Sequence, residues 1–382
     1  MEAITVISQS SLNPLNLNRN QLISPTSSIS FCTMARDLRL HALIVLLLLV
    51  SFWTPSCSES IPTPNSQCQT QLQQGCHDRH KSLKLKLIAI ATILVASMIG
   101  VCLPLFSRAV PLLQPEGSPF AIVKAFASGV ILATGYMHVL PDSFNCLTSP
   151  CLPENPWRKF PFTTFIAMIS AVMTLMLDSF SMSRYKKELM EAQVAEEEQN
   201  EGMEIDDNSG REEGTNKKLG AKLVRHRVIA QLLEAGIVVH SVVIGLSMGA
   251  SENPCTIRPL IAALCFHQLF EGMGLGGCIL QAEYGFKMKA IMVFFFSITT
   301  PFGIALGIGL SNVYSDNSPT ALIVVGVLNA LSAGLLNYMA LVDLLAFDFM
   351  GPKLQANLTL HIWAYVAVFL GAGGMSLMAK WA

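Results

Sequence analysis

Two neighbouring segments carry side chains that bind transition metals, in a chain that has only 8 histidines. The first segment contains His240 followed by Ser241, and the second contains His267, Gln268 and Glu271. His267 and Glu271 are four residues apart, so in a helix they lie on one face, one turn apart. Imidazole and carboxylate together suit zinc, ferrous iron and manganese. Ser241 and Gln268 would add oxygen ligands or hydrogen bonds to the ligands.

Both segments lie in long apolar runs, where a charged group costs about 2.5 kcal/mol or more. A single buried histidine would best be interpreted as a neutral side chain that is hydrogen-bonded within a helix bundle. Two histidines and a carboxylate on adjacent runs favour a metal site between the two helices. Glycines are expected to let these helices approach closely enough for the ligands to converge; they are Gly245, Gly249, Gly272, Gly274, Gly276 and Gly277.

A second histidine–carboxylate pair lies at the predicted outer end of another run. His138 and Asp142 are also four residues apart, so they share a helix face. We expect them at the outer mouth, at a different depth from His240 and His267, where they could capture a cation. The alternative is a local ion pair at a solvated helix end.

Three acids are predicted near inner helix ends, and together they could form an exit path; they are Asp178, Glu234 and Asp343. Each alone could equally be an ordinary interfacial charge. Asn337 could line the same path or bridge helices. Lys124 is expected either to reach the membrane surface with its charged end or to pair with an acid.

The composition identifies the solvent of these runs as lipid. Hydrophobic residues make up 52% of the chain and charged residues 13%, about half the charge that soluble domains carry. A net charge of -1 argues against a nucleic-acid partner. Eight apolar runs have the length of a membrane span and lack strand alternation; they are about 85–106, 120–140, 161–180, 228–249, 257–280, 290–310, 321–345 and 362–380. The sequence therefore predicts an all-α membrane protein with eight transmembrane helices.

One polar segment, residues 181–227, divides helices 1–3 (residues 85–180) from helices 4–8 (residues 228–382). It is predicted to be a long disordered loop, and its basic flanks place it in the cytoplasm. Residues 59–84 then lie outside, as do both mature termini. Two close cysteine pairs on that oxidising side could form disulfides; they are Cys68 with Cys76 and Cys146 with Cys151.

Residues 1–58 are predicted to be a targeting segment. Arg36 and Arg39 precede a short apolar stretch that is followed by small residues, a pattern typical of a secretory signal peptide beginning near Met34. An uncleaved anchor is the alternative. Residues 1–33 are either an organelle transit peptide or an untranslated extension. We expect a multi-pass protein of the plasma membrane, with the chloroplast or an endomembrane as alternatives.

The segments beginning at His240 (HSVVIGLS) and His267 (HQLFEGMGLG) resemble helices 4 and 5 of the plant branch of the ZIP family of zinc/iron permeases. Residues 128–142 and 339–346 resemble helices 2 and 7 of that branch. The resemblance implies eight helices, metal import toward the cytosol and a central site made of His240, Ser241, His267, Gln268 and Glu271. It also implies that Asp142 and Asp178 match acidic positions linked to metal choice.

The sequence departs from the family pattern four residues after His240. Many relatives carry an acid there that can bridge two metals, and this chain has Ile244. The departure favours one metal ion rather than a two-metal centre.

Three functions fit these residues. The leading interpretation is a carrier with alternating access, for which Zn²⁺ and Fe²⁺ (with Mn²⁺ or Cd²⁺ as further candidates) are transported substrates rather than cofactors. An intramembrane metal-dependent hydrolase is the alternative, but no HExxH motif is present. A selective channel is the third. The expected partners are divalent metal ions and the lipid bilayer, and the sequence leaves room for a homodimer.

Overall fold

Eight helices in the described part of the chain have the length and hydropathy of membrane spans. The computed structural model describes residues 78–106, 117–200, 209–311 and 318–378. The helices are α1 (Arg79–Phe106), α2 (Ser118–Leu147), α3 (Phe162–Asn200), α4 (Ser209–Ala250), α5 (Pro254–Gln281), α6 (Phe286–Leu310), α7 (Pro319–Phe349) and α8 (Leu358–Met378). These residues contain no strand, so the predicted all-α class with eight spans is confirmed. The targeting segment 1–58, the Cys68–Cys76 pair and most of segment 59–84 lie outside the described residues.

Side-chain caps and prolines set where several helices begin. The side chain of Asn253 accepts a hydrogen bond from the backbone N–H of Cys255, and that of Ser318 accepts one from Ala321. In both helices a proline follows the cap, where its missing N–H costs nothing. Asp78 caps α1 in the same way, since Oδ1 accepts from the backbone N–H of Lys81 at 3.0 Å, and this bond lowers the pKa of Asp78. The loops between spans can therefore be short.

The connection between α3 and α4 differs from the predicted disordered loop over residues 181–227. Helix α3 continues to Asn200 and α4 begins at Ser209, so both ends of the connection are helical. The physical reason is that its Glu, Lys, Gln, Ala and Met residues are strong helix formers even when they are exposed to water. A polar composition therefore did not predict where these two helices end.

The eight helices pack as two groups of four. Helix α1 packs mainly against α5 and α6, and α4 packs mainly against α6. In the second group α2 packs against α8, and α7 packs against α3 and the outer half of α2. We call α1, α4, α5 and α6 the first group and α2, α3, α7 and α8 the second group. The metal-site residues expected from the sequence lie on α4 and α5 of the first group, facing the second.

Glycines bring helices together, although not the pair that the sequence suggested. A Cβ at Gly245 would come within 2.6 Å of the carbonyl oxygen of Thr300, so α4 is pressed against α6. A Cβ at Gly276 would overlap the backbone of Val101 on α1, and a Cβ at Gly274 would come within 2.8 Å of Ile131 on α2. These glycines therefore hold α4 and α5 against α6, α1 and α2. The expectation that they press α4 and α5 together was wrong.

Two of the spans contain a π-helical stretch, in which each turn takes an extra residue. In α2 this stretch is Thr134–Val139, and in α7 it is Met339–Ala346. Outside the spans, a π turn over Glu154–Arg158 precedes α3 and a short helix, Pro352–Gln355, precedes α8. The stretch in α2 includes His138 and the stretch in α7 includes Asp343, so both change the direction in which a titratable side chain points.

Two disulfide-bonded cysteines lie in the loops that the predicted topology places outside. Cys151 follows α2 and Cys255 begins α5, and both are disulfide-bonded. Cys146 carries a thiol, so the expected Cys146–Cys151 disulfide was wrong. Because disulfides form on the oxidising side of a membrane, the two loops support a cytoplasmic α3–α4 connection.

Candidate functional site

Three imidazole rings converge in the middle of the bundle, one each from α2, α4 and α5. The ring centroids of His138 and His240 are 5.8 Å apart, those of His138 and His267 are 6.1 Å apart, and those of His240 and His267 are 5.4 Å apart. Three imidazoles on a tetrahedral zinc ion, with Zn–N bonds of about 2.0–2.1 Å, would have centroids about 5.2 Å apart. The three rings therefore lie close to the spacing that one ion requires.

A buried carboxylate lies beside this cluster. Glu271 is one turn from His267 on α5 and is 0% exposed. Its Oε2 atom lies 3.1 Å from Nε2 of His267. Burying an ionised carboxylate is costly unless it is paired or binds a cation, so the position of Glu271 is best explained by a positive charge shared with the histidines.

Ser241 and Gln268 are also buried at the cluster. The Oγ1 hydroxyl of Thr300 on α6 donates a hydrogen bond to Oε1 of Gln268 at 3.3 Å. An amide oxygen has two lone pairs, so Gln268 keeps one for a second partner. The structure thus brings together His240, His267 and Glu271 of the five residues that the sequence assigned to the central site, and it adds His138. Ser241 and Gln268 are buried next to these ligands in the chain.

The polar atoms of these six residues are unusually short of partners. Within the described part of the chain, 16 buried side-chain nitrogen and oxygen atoms have no hydrogen-bond partner. Eight of the 16 belong to the cluster: Nε2 of His138, both ring nitrogens of His240, Oγ of Ser241, Nε2 of His267, Nε2 of Gln268 and both carboxylate oxygens of Glu271. Since buried polar groups are normally satisfied, this concentration of imidazole nitrogen and carboxylate oxygen fits a divalent transition metal.

The side chains do not form a closed ligand set as they stand. Among the described residues, no three His, Cys, Asp or Glu side chains are arranged to hold one ion. The ring spacing is right within about 1 Å of the tetrahedral value, so rotation of the rings, rather than movement of the helices, would direct the nitrogens to a common point. Side chains that bind an ion by rotating toward it can also release the ion by rotating away.

His138 differs in position from the sequence expectation, which placed it at the outer mouth. Helix α2 continues through a π-helical stretch to Leu147, so His138 lies inside the span, 5% exposed and against the other two rings. Asp142, one turn further out, is 44% exposed in its side chain, and its Oδ2 lies 4.0 Å from Nε2 of His138. Asp142 is thus the more exposed member of the pair, and His138 lies between it and the other two rings.

Thr134 is a site residue that the sequence reading missed. Its hydroxyl donates to the carbonyl of Val130 at 3.0 Å and lies 3.3 Å from Nδ1 of His267. Because its hydrogen goes to Val130, Thr134 accepts from Nδ1–H, which leaves Nε2 of His267 bare and able to bind a metal. The spacing of four residues to His138 was the signal that could have identified Thr134.

The acids predicted for the exit path are only partly brought together. Asp178 on α3 accepts a hydrogen bond from the hydroxyl of Tyr338 at 3.4 Å and lies within electrostatic reach of Asp343 on α7. Glu234 is half-buried on α4, six residues before His240 or about 9 Å along the axis. No hydrogen bond or ion pair joins it to the other two acids in the described residues.

Two basic residues neutralise acids at the inner end. Lys124 donates to Asp348 at 3.1 Å and to Gln281 at 2.9 Å, so of the two roles expected for Lys124, pairing with an acid is correct. Arg225 lies 3.6 Å from Asp343. Arg225 was expected only as one of the basic residues flanking the α3–α4 connection. Its partner, and that of Asp348, could not be identified, because neither residue follows a spacing that indicates one.

Comparison with known proteins agrees with this geometry. A family model described as ZIP Zinc transporter matches residues 83–379. "Fe(2+) transport protein 1" of Oryza sativa subsp. japonica is 61% identical, over 82% of this chain and 88% of that protein. "Zinc transporter 7" of Arabidopsis thaliana is 57% identical, over 88% and 97% respectively. "Fe(2+) transport protein 1" of Arabidopsis thaliana is 55% identical, over 90% and 98%. A chain matched over most of its length by a family model and by such relatives belongs to the ZIP zinc transporter family.

Proposed function

We propose that this protein carries divalent transition metal ions, Zn²⁺ and Fe²⁺, across a membrane toward the cytosol. The observation that carries the proposal is the convergence of His138, His240, His267 and Glu271 at one buried point between eight spans. Relatives named for iron(II) transport and for zinc transport support the choice of metals. Imidazole with carboxylate suits both ions, whereas a thiolate site would favour softer metals.

The transport steps follow from the order of the groups along α2 and α5. Asp142 is exposed and attracts a hydrated cation from outside. His138 lies one turn deeper and takes the ion from Asp142 to the ring cluster. There His240, His267 and Glu271 replace water in the coordination shell, which compensates for dehydration of the ion at membrane depth.

Release toward the cytosol requires the ion to pass the inner acids. Asp178 and Asp343 lie on α3 and α7, on the cytosolic side of the cluster in the predicted topology. Carboxylates without imidazole bind borderline metals more weakly, so the ion leaves a strong site for a weaker one. Glu234 on α4 is the third acid of this route, and it belongs to the first group of helices, whereas Asp178 and Asp343 belong to the second.

A carrier is favoured over a channel by the burial of the cluster. The exposed fractions of His138, His240 and His267 are 5%, 1% and 1%. An ion cannot reach and leave such a site through one static conformation, so the two helix groups must move relative to each other. The hydrolase alternative has no support, since the matching family and the relatives named above are transporters. The plasma membrane as location, the signal peptide and a homodimer stay predictions.

The test is zinc and iron(II) uptake by vesicles that contain the purified protein. Glu271→Ala and the isosteric Glu271→Gln remove the buried charge, and both are expected to abolish saturable uptake. Glu154→Ala is the control, because it removes an exposed carboxylate in the loop between α2 and α3 and is expected to leave uptake unchanged. Full uptake by both Glu271 variants would refute the central site. Equal, ion-independent leakage through all proteins would refute the carrier.

A further inference from the structure

The inner end of the bundle holds a carboxylate whose neutralisation the transport route does not explain. Asp343 on α7 is 0% exposed, and both of its oxygens lack a hydrogen-bond partner. The guanidinium of Arg225 on α4 faces it, with Nη2 at 3.6 Å from Oδ1. The guanidinium carbon lies 4.6 Å from the ring centroid of Phe347, one turn further along α7. The charge of Asp343 and the ring of Phe347 therefore both help to hold Arg225 in place.

This ion pair joins the two helix groups. Arg225 belongs to α4 of the first group, and Asp343 and Phe347 belong to α7 of the second. Arg225 lies 15 residues before His240 on α4, which is roughly 22 Å along the helix axis. The ion pair is therefore at the cytosolic end of α4 in the predicted topology. Any relative movement of the groups that opens the inner side must separate Arg225 from Asp343.

The neighbouring pair at the same end is built differently. Lys124 and Asp348 both belong to the second group, and the ammonium lies within 2.8 Å of one carboxylate oxygen and 3.1 Å of the other. This hydrogen-bonded pair does not have to break when the groups move. Of these two inner ion pairs, the long one spans the boundary between the groups and the short one does not, although Lys124 also donates a hydrogen bond across that boundary to Gln281 on α5 at 2.9 Å. Arg225 and Asp343 are therefore the pair of opposite charges that a movement of the groups would separate.

We propose that Arg225 is the resident counter-ion of the exit carboxylates, which keeps the cytosolic side closed until a metal ion displaces it. While the metal is at the imidazole cluster, the guanidinium of Arg225 pairs with Asp343, and Asp178 is within electrostatic reach of Asp343. A divalent ion arriving from the cluster carries twice the charge of the guanidinium and so attracts the same carboxylates more strongly. When Arg225 leaves, α4 and α7 are free to separate and the ion is released. This proposal rests on the transport function above and adds a residue that determines when the exit opens.

The thiol of Cys278 is a natural reporter for opening. It lies on α5 near the cytosolic end, is 2% exposed, and is within electrostatic reach of Asp343, Asp348 and Lys124. A membrane-impermeant thiol reagent is applied to the cytosolic side of inside-out vesicles, and modification of Cys278 is followed by peptide mass spectrometry. Wild type, Arg225→Gln, Arg225→Lys and Arg227→Gln are compared without added metal. Arg227 is the matched control because its guanidinium donates to the carbonyl of Ala282, the residue that follows α5, and not to an acid that the exit uses.

The expected result is that Arg225→Gln raises the rate of Cys278 modification by about fivefold, the effect of an ion pair at the upper end of the range for partly exposed pairs. Arg225→Lys keeps a cation and is expected to stay near the wild-type rate, as is Arg227→Gln.

An unchanged rate in Arg225→Gln would overturn the proposal, and so would an equal increase in Arg227→Gln, which would indicate general loosening of the inner end. Asp343→Asn provides a second variant, since removal of the other partner is expected to raise the same rate to a similar extent. Zinc uptake by the wild-type vesicles is measured in parallel. If wild type takes up no zinc, the transport function fails; if it transports normally and the labelling is unchanged, only the role of Arg225 fails.

Discussion

Replacement of His138 distinguishes a central ligand from an entrance residue. The His138 ring is 5.8 Å and 6.1 Å from the other two rings, centroid to centroid, against about 5.2 Å for imidazoles on one tetrahedral zinc. A neutral histidine at the entrance would contribute little to capture, and its loss would change uptake only a few-fold. Loss of a group that only orients a ligand typically lowers metal affinity about 10–100-fold, and loss of a ligand itself lowers it more. We therefore expect His138→Ala to raise the half-saturating zinc concentration by about 100-fold or more.

The assay is zinc uptake into vesicles over a wide range of zinc concentration, with the amount of folded protein measured for each variant. His361→Ala is the matched control, because His361 stacks on Tyr365 in α8 with ring centroids 5.1 Å apart, away from the cluster. Asp142→Asn is the entrance comparison and is expected to change the half-saturating concentration less than His138→Ala does. An unchanged half-saturating concentration in His138→Ala would show that the ring does not bind the ion.

Three further outcomes are expected. Thr134→Val removes the acceptor of the His267 Nδ1–H bond and is expected to raise the half-saturating zinc concentration by about tenfold, with recovery in Thr134→Ser; equal uptake by all three proteins would contradict the tautomer assignment. Gly249→Ala places a Cβ against the carbonyl oxygen of Ile304 and is expected to lower stability in detergent by about 1–3 kcal/mol, measured as a fall in Tm. The control is Gly373→Ala inside α8, which meets nothing within 4 Å and is expected not to lower Tm. Uptake is expected to weaken as the external pH falls, because protons compete with the metal for the imidazole nitrogens; uptake into vesicles that stays constant down to the pH at which the protein unfolds would contradict imidazole ligation.

The sequence predicted those parts of the molecule that depend on local pattern. Apolar runs of membrane length predicted the number of spans. In lipid the backbone hydrogen bonds are satisfied only in helices or in closed β-barrels, and the runs lack the alternation of strands. The spacing of His267 and Glu271 predicted that they share one face of α5. Ile244, which stands where many relatives carry an acid, has apolar surroundings, since it packs against the cluster around Ala89 and Ile93.

The remaining features depend on contacts between distant segments. His138 was placed too far out because a π-helical stretch is not visible in composition and because α2 runs beyond Pro141. The glycines of α4 identified a close approach without identifying α6 as the partner. Arg225 and Asp343 are separated by more than a hundred residues, and only tertiary packing brings them together. Residue type therefore predicted the kind of interaction that each side chain makes. Which residue is its partner depends on the tertiary fold.

The ligand set of the bound ion is the most direct test of the account. Zinc K-edge X-ray absorption on the purified, zinc-loaded protein reports the atoms around the metal and their distances. We expect nitrogen and oxygen neighbours at about 2.0–2.2 Å, with the outer-shell pattern of several imidazoles, and loss of that pattern in the double variant His240→Ala/His267→Ala. Sulfur neighbours at about 2.3 Å, or an imidazole pattern that persists in the double variant, would contradict a central site built from these histidines.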